Sequence, residues 1–362
     1  MKVFLVGTSF IPAYGGPARS VPRLAESLVD AGATVGIWAS DQSALGAPFL
    51  KPSSQVVQLG GSLSEAVGQL GTPDVIHDNG LWRPQNHQVA KLAKASGIPR
   101  VVSIRGMLEP WAWKHKWLKK RLAWYLYQHA DLRSAASYHV TSELERKSVN
   151  VFKLPAPIVE YPNGVDLPRD LRESHVSVRG NEQSHKTALF VGRIYPVKGL
   201  PMLVEAWAKV RPEGWRMRIV GPDQAGHRRE VEALVAKYEL ADVFEFTGAM
   251  EGEPKREAFL ESDLFVLGSH AENFGVAAGE ALAYRVPVLA TQATPWRLLS
   301  EKNCGWWVPT SVDGIANGLQ EATSQPTETL KAMGRRGREA MERDFSWDSV
   351  GNGMLEHYKS IV

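Results

Sequence analysis

Short continuous apolar runs alternate along this chain with stretches in which apolar residues recur every three or four positions. The first pattern fits strands covered on both faces, and the second fits amphipathic helices. Their alternation predicts parallel sheets with helical crossovers, an α/β architecture. In the first half, residues 2–6, 34–38, 74–77 and 100–104 read as strands, with helices at 17–30, 85–95 and 114–134. Residues 138–141 and 158–161 read as the last strands of that half. Residues 166–186 are polar and lack apolar periodicity, which predicts a linker. The pattern then restarts, with strands at 187–191, 216–220, 243–247, 264–267 and 287–290 and helices at 201–210, 228–238, 254–261 and 276–284. Two helices close the chain, at 328–343 and 347–360, and Ser346 is placed to cap the second.

Length agrees with that division. A chain of 362 residues exceeds one ordinary core, and two domains are the natural reading. No short repeat is present, so these are two similar folds and not a solenoid. The net charge of +3 is too small to argue for nucleic acid, although basic residues cluster between Arg105 and Arg133. A single cysteine, Cys304, excludes an internal disulfide and a Cys-based zinc site, and fits a reducing cytoplasm. The apolar run at the start stops at Gly7, too early for a signal peptide, and reads as a buried first strand. No apolar stretch approaches the length of a membrane span.

Candidate chemistry sits after the strands. Gly15-Gly16 follows the first strand and opens the first helix, where the backbone can approach an anion closely. A tight turn with no ligand fits the same residues, and the dinucleotide fingerprint GxGxxG is absent, which weakens a dehydrogenase reading. After the first strand of the second half, Gly192-Arg193 and Lys198 place two cations five residues apart on a loop at the strand's carboxyl edge. Ligands bind at that edge in open α/β sheets, and two fixed cations can neutralise a diphosphate as it leaves. A solvated basic loop is the plainer alternative.

The most informative stretch is Glu272-Asn273-Phe274-Gly275-Val276-Ala277-Ala278-Gly279-Glu280. Its carboxylates are eight residues apart, Glu272 on a loop and Glu280 about a turn inside the next helix, so they do not share a helical face. The N–H groups of Phe274, Gly275 and Val276 lie at the helix start, ready for phosphate oxygens. Glu280 can accept hydrogen bonds from a ribose diol. A glycosidase carboxylate pair is the competing reading, but a hydrolase needs no phosphate cradle.

Two first-half strands end in polar groups. His77, Asp78 and Asn79 close one, and Arg105 follows the other; all four are candidates for contact with an acceptor, while His77 fits a satisfied core histidine equally well. Residues 111–127 mix Trp, Tyr and cations, which suits a helix lying on an anionic membrane as well as an ordinary amphipathic helix.

At these residues the chain resembles the family 4 retaining glycosyltransferases of GT-B fold. The segments that match in order are the Gly15-Gly16 loop, Arg193 with Lys198, the Glu272 and Glu280 pair, Pro295-Trp296, Cys304-Gly305-Trp306-Trp307 and Phe345-Ser346-Trp347. The resemblance implies two Rossmann-like domains facing across a cleft. These are residues 1–165 on the acceptor side and 187–346 on the nucleotide-sugar side, with the last helix, 347–362, crossing back to the first. It further implies that Arg193 and Lys198 hold a donor diphosphate, Glu280 its ribose, and Glu272 with the 274–276 backbone its sugar, while Gly16 approaches the phosphate. Gly15, Gly192 and Asn273 belong to the same donor set. Such enzymes work without a metal and by front-face attack. Many members carry histidine where this chain has Arg105, and those reading Arg-Gly-Met, as here, resemble polysaccharide and O-antigen transferases.

The expectation is therefore transfer of a hexose from a UDP- or GDP-sugar to a saccharide acceptor, carried on a polyprenyl diphosphate. No cofactor or nucleic acid takes part, and the enzyme works at the cytoplasmic face of the plasma membrane. A nucleotide-sugar epimerase or hydrolase on the same fold, or a non-catalytic nucleotide-sugar-binding subunit, remain alternatives.

Overall fold

A computed structural model describes residues 1–114, 116–168, 171 and 185–362. Of the expected linker, residues 169–170 and 172–184 lie outside the described residues. The chain divides into two compact units, Met1–Gly164 with Phe345–Val362, and Val165–Asp344.

The first unit begins β1 (Lys2–Val6), α1 (Gly16–Asp30), β2 (Thr34–Trp38), β3 (Val57–Gln58), α2 (Leu63–Leu70), β4 (Val75–Asn79), α3 (Pro84–Ser96) and β5 (Arg100–Ser103). It continues through α4 (Pro110–Lys114), α5 (Trp117–Ala123), a π-helical turn at Trp124–Gln128, α6 (His129–Arg133), β6 (Ser137–Val140), α7 (Glu143–Asn150) and β7 (Ile158–Glu160). The strands form a parallel sheet of order β3-β2-β1-β4-β5-β6-β7.

The second unit contains β8 (Lys186–Val191), α8 (Leu200–Val210), β9 (Trp215–Val220), α9 (His227–Lys237), β10 (Phe244–Gly248), α10 (Gly252–Leu260) and β11 (Leu264–Leu267). After these come α11 (Val276–Ala283), β12 (Val288–Thr291), α12 (Leu298–Glu301), β13 (Gly305–Val308), α13 (Val312–Thr323) and α14 (Thr327–Asp344). Its strand order is β10-β9-β8-β11-β12-β13, again parallel. The last helix, α15 (Trp347–Ile361), belongs to the first unit.

Each sheet is covered on both faces, and β1 shows how. Val3 and Leu5 join a core with Val21, Leu24 and Leu28 of α1 and Val350, Met354 and Tyr358 of α15. The alternate residues Phe4 and Val6 pack with Trp38, Ala66, Leu70, Val89 and Ala93 on the other face. The strand's two-residue period thus feeds two cores, and each buried side chain contributes roughly 1.5–3 kcal/mol. A glycine fixes the closeness of α15 to α1: a Cβ on Gly351 would lie 2.6 Å from Ser27 Oγ.

Both units share one topological consequence. From β1 the chain winds outward to β2 and β3, then returns on the other side to β4; β8 and β11 bear the same relation. Loops after adjacent strands diverge there and open a crevice at the carboxyl edge. In the second unit those loops carry the Arg193–Lys198 and Ser269–Glu272 segments.

Three readings of the sequence need correction. The strand expected at 74–77 extends to Asn79, because Asp78 pairs with Val6 and Asn79 with Ser103. The helix expected at 114–134 is broken: Lys116 adopts a left-handed conformation (φ 54°), and the backbone widens to a π turn at Trp124. There Trp124 lies 5.5 Å from Trp113 and 5.1 Å from Phe152, ring to ring, so aromatic packing overrides regular helix. Elements β3, α2, α7, α12, β13 and α13 had no counterpart in the apolar pattern, being short or small-residue rich.

Candidate active site

In the second unit, the loop after β8 leaves through Gly192, whose N–H donates to Val220 (2.9 Å), and Ile194, whose N–H donates to Pro222 (2.9 Å). This anchors Arg193 so that its guanidinium reaches Gln224 Oε1 at 2.9 Å. A 3₁₀ turn at Pro196–Lys198 ends on Gly199 at φ 65°. A Cβ on Gly199 would sit 2.0 Å from the carbonyl oxygen of Gly268 beyond β11. Glycine is therefore required both by conformation and by the approach of the two loops.

The approach has a chemical result. Lys198 Nζ lies 2.5 Å from Glu272 Oε1, and Ser269 Oγ donates to the same oxygen at 2.7 Å. Both charged side chains are largely withdrawn from water, 17% and 11% exposed. Asn273 and Phe274 follow, the Phe274 ring buried 5.2 Å from that of Trp296, so Phe274 can offer a ligand only its backbone. Gly275, at φ 76°, caps α11, and Val276 is its first residue. Four residues on, Glu280 receives Lys255 of α10 on both oxygens at 2.8 Å. Each carboxylate of the pair is thus neutralised by a lysine from another loop or helix.

Lys255, Ser269 and Gln224 were not singled out from the sequence. Lys255-Arg256-Glu257 reads as a solvated face, and only the tertiary contact with Glu280 distinguishes its first member. Ser269 carries the faint signal of a hydroxyl directly after a buried strand.

The first unit treats its polar candidates differently. Gly15 (φ 87°) caps α1 and Gly16 begins it; a Cβ at either would meet nothing within 4 Å. Conformation therefore demands glycine at 15, while neither conformation nor packing demands it at 16. Beside them, Arg83 donates to the Tyr14 hydroxyl and lies 5.8 Å from its ring centre.

His77 is fully buried in a chain of hydrogen bonds whose polarity can be read from its end. His139 Nε2 faces the Tyr161 carbonyl at 2.9 Å and must donate. His139 Nδ1 therefore accepts from Ser103 Oγ (2.5 Å), which accepts from His77 Nε2 (2.6 Å), leaving His77 Nδ1 to accept from the Tyr358 hydroxyl (2.5 Å). Both imidazoles are neutral: burial pulls His77 well below its ordinary range and His139 down to about 3. Asp78 is equally buried, held by Arg100 (2.9 Å) and Asn86 (2.6 Å); burial lifts its carboxyl to about 6 against the pull of Arg100. Asn79 donates to the carbonyls of Val6 (3.1 Å) and His77 (3.3 Å). The strand carries His77, Asp78 and Asn79, candidates for contact with an acceptor, into the sheet interior, where they bind protein groups.

Arg105 is the exception. It follows β5 at φ 55°, and the residue as a whole is only partly buried. Asn79 Oδ1 accepts from Nη2 (2.8 Å) and Nε (3.2 Å), and Asn163 Oδ1 from Nη1 (2.7 Å). Desolvation draws it down to about 10, and it stays cationic at neutral pH.

The broken helical segment presents both of its expected characters. Trp113 and Trp124 pack inward with Trp82 and Phe152. Trp117, Leu118, Leu122, Tyr125 and Leu126 are 50–75% exposed, interleaved with Lys116, Lys119 and Arg121. Among the described residues, no helix is long and apolar enough to cross a membrane, and no group of three or more His, Cys, Asp or Glu is placed to hold a metal ion.

With this geometry in place, comparison with known proteins is informative. The family described as glycosyl transferases group 1 matches residues 172–340, and the glycosyl transferase 4-like domain matches residues 15–164. The chain is 30% identical over 222 residues to a D-inositol 3-phosphate glycosyltransferase of Segniliparus rotundus, covering 58% of this chain and 48% of that protein. It is 27% identical over 218 residues to the putative colanic acid biosynthesis glycosyltransferase WcaL of Salmonella typhimurium, covering 57% and 52%. The match thus spans about half the length of these curated relatives. Among solved structures, sucrose-phosphate synthase of Thermosynechococcus elongatus superposes with a TM-score of 0.76 at 20% identity, covering 100% of this chain and 99% of that one. HepE of Anabaena, in complex with UDP and glucose, gives 0.75 at 19% identity, covering 99% and 100%. The two parallel-sheet units and these likenesses establish the GT-B fold.

Proposed function

The chain belongs to the group 1 glycosyltransferases, its first half the 4-like domain, and from that premise we propose that it moves a hexose from a UDP- or GDP-sugar to a saccharide hydroxyl with retention of configuration. The observation that carries this reading is the Lys198–Glu272 contact, shared with Ser269, at the strand edge where a doubly wound sheet takes ligands. UDP in the HepE complex supports a nucleoside diphosphate as the donor's leaving group.

In this reading Arg193 and Lys198 bind the diphosphate, and Lys198 exchanges Glu272 for a phosphate oxygen as the donor enters. Glu272 is then released toward the sugar hydroxyls, with Asn273 and the backbone of Phe274, Gly275 and Val276 beside it. Glu280 accepts from the ribose diol, and Gly192 gives the backbone close access. The bond from the anomeric carbon to the β-phosphate oxygen breaks, the bond to the acceptor oxygen forms, and the acceptor's proton goes to the departing phosphate. The two cations stabilise the charge that grows on that phosphate, so a divalent metal is not required.

We further assign the exposed Trp117, Leu118, Leu122, Tyr125 and Leu126, with their flanking cations, to contact with an anionic membrane carrying a polyprenyl-diphosphate-linked saccharide. Aromatic and aliphatic side chains among cations match the headgroup boundary.

The deciding experiment is turnover of UDP- and GDP-hexoses with a lipid-linked saccharide in EDTA, the product's anomeric configuration read by NMR. Retained configuration and chelator-insensitive transfer are expected. Activity that vanishes with EDTA and returns only with a divalent ion contradicts the metal-free mechanism. Donor conversion without acceptor indicates an epimerase or hydrolase, and binding without turnover indicates a non-catalytic subunit.

A further inference from the structure

Arg105 is held in an unusual way. Its three protein contacts are amide oxygens, two bonds to Asn79 and one to Asn163. The Asn79 amide is fixed with its oxygen toward the arginine, because its nitrogen donates to the Val6 and His77 carbonyls. These acceptors orient the guanidinium without neutralising it. Glu145 lies near but not in ion-pair contact; its oxygens accept from the Gly106 N–H (2.5 Å), the Thr141 N–H (2.7 Å) and the Thr141 hydroxyl (3.0 Å). A guanidinium has five N–H groups, and three are used. Two remain without a protein acceptor among the described residues.

A partly desolvated cation oriented by neutral groups carries a solvation cost that an oxyanion in its open fork would relieve. The backbone adds a second sign of aim: Arg105 and Gly106 are both left-handed, at φ 55° and 71°, turning the side chain back over the end of β4. We propose that Arg105 is the oxyanion-binding group of the first unit and takes a phosphate or diphosphate of the acceptor, the chemistry a polyprenyl-diphosphate-linked saccharide presents. The assignment rests on the glycosyltransferase reading for the name of its ligand, though not for the presence of an anion site. A donor phosphate offers the same chemistry, so the test separates the two sources.

Pyrophosphate is titrated calorimetrically into the full chain saturated with whichever of UDP or GDP binds it, and that nucleotide is titrated separately. In Arg105→Gln, pyrophosphate binding weakens at least tenfold while nucleotide affinity stays within twofold, and Arg105→Lys keeps measurable pyrophosphate binding. Lys198→Ala shows the reverse pattern, weak for nucleotide and normal for pyrophosphate. A fall in nucleotide affinity in Arg105→Gln, with no pyrophosphate effect, overturns the acceptor assignment in favour of the donor. A variant that melts lower yet keeps both affinities gives Arg105 a purely structural role and overturns the proposal. If neither UDP nor GDP binds the wild type, the donor reading fails, while pyrophosphate binding lost in Arg105→Gln still supports the anion site.

Discussion

The two units share a sheet topology but place polar residues differently relative to the strand ends. In the first, His77, Asp78 and Asn79 are still inside β4, where register with β1 and β5 buries them among protein partners. In the second, β11 stops at Leu267, and Ser269 and Glu272 come after it. They meet Lys198 at an edge that retains some access to water. A shift of two or three residues against the strand end thus separates a polar group that holds the fold from one available for chemistry. Arg105 in the first unit obeys the same rule, since β5 stops at Ser103 before it.

The sharpest way to break this contrast is Asp78→Ala. It strips Arg100 of its buried partner and should cost about 3–5 kcal/mol of stability, read by urea unfolding. A variant of normal stability that loses turnover would instead put the chemistry at β4. Next in size is Lys198→Ala, expected to fold normally and lose roughly 10²–10³-fold in turnover, about 2.7–4 kcal/mol of transition-state stabilisation; a near-normal rate removes Lys198 from the diphosphate. Lys255→Met should lie between these behaviours, because Glu280 then loses the Lys255 ammonium in a partly buried place. Its expected cost is about 1–3 kcal/mol, with a raised donor KM. Unchanged KM would leave the Lys255–Glu280 pair as scaffold alone.

The smallest expected effect is in pH. His77 and His139 have depressed pKa values in the folded state, so the unfolded chain binds protons first as pH falls below about 6.5. Their stabilising contribution is full above that pH and is lost on acidification, by up to about 1.4 kcal/mol per pH unit for each histidine. Asp78 acts in the opposite sense below about 6, because its raised pKa makes the folded state the better proton acceptor. Below about pH 6.5, His77→Gln should therefore flatten the fall of unfolding free energy relative to the wild type; an unchanged slope would contradict burial of a neutral His77.

Much of the fold was legible because buried parallel strands are written as apolar runs: 2–6, 34–38 and 264–267 lie where the pattern put them. The end of β4 was not, since Asp78-Asn79 looks like loop and only pairing with Val6 and Ser103 extends the strand. Helix α2 was readable in principle from its capping box, Ser62 with Glu65, but its mixed apolar pattern hid it. Among the candidate donor residues, Gly199, Lys198 and Glu272 announce themselves by type and spacing. Lys255 does not, because the ion pair spans 25 residues and exists only once α10 and α11 are packed.

The most direct test of donor binding by the second unit is hydrogen exchange of the full chain with and without UDP or GDP. Protection should appear over 192–200 and 269–280, the loops joined by Gly199 and Gly268 and the start of α11. Nucleotide-dependent protection confined to the first unit, with those two stretches unchanged, would contradict it.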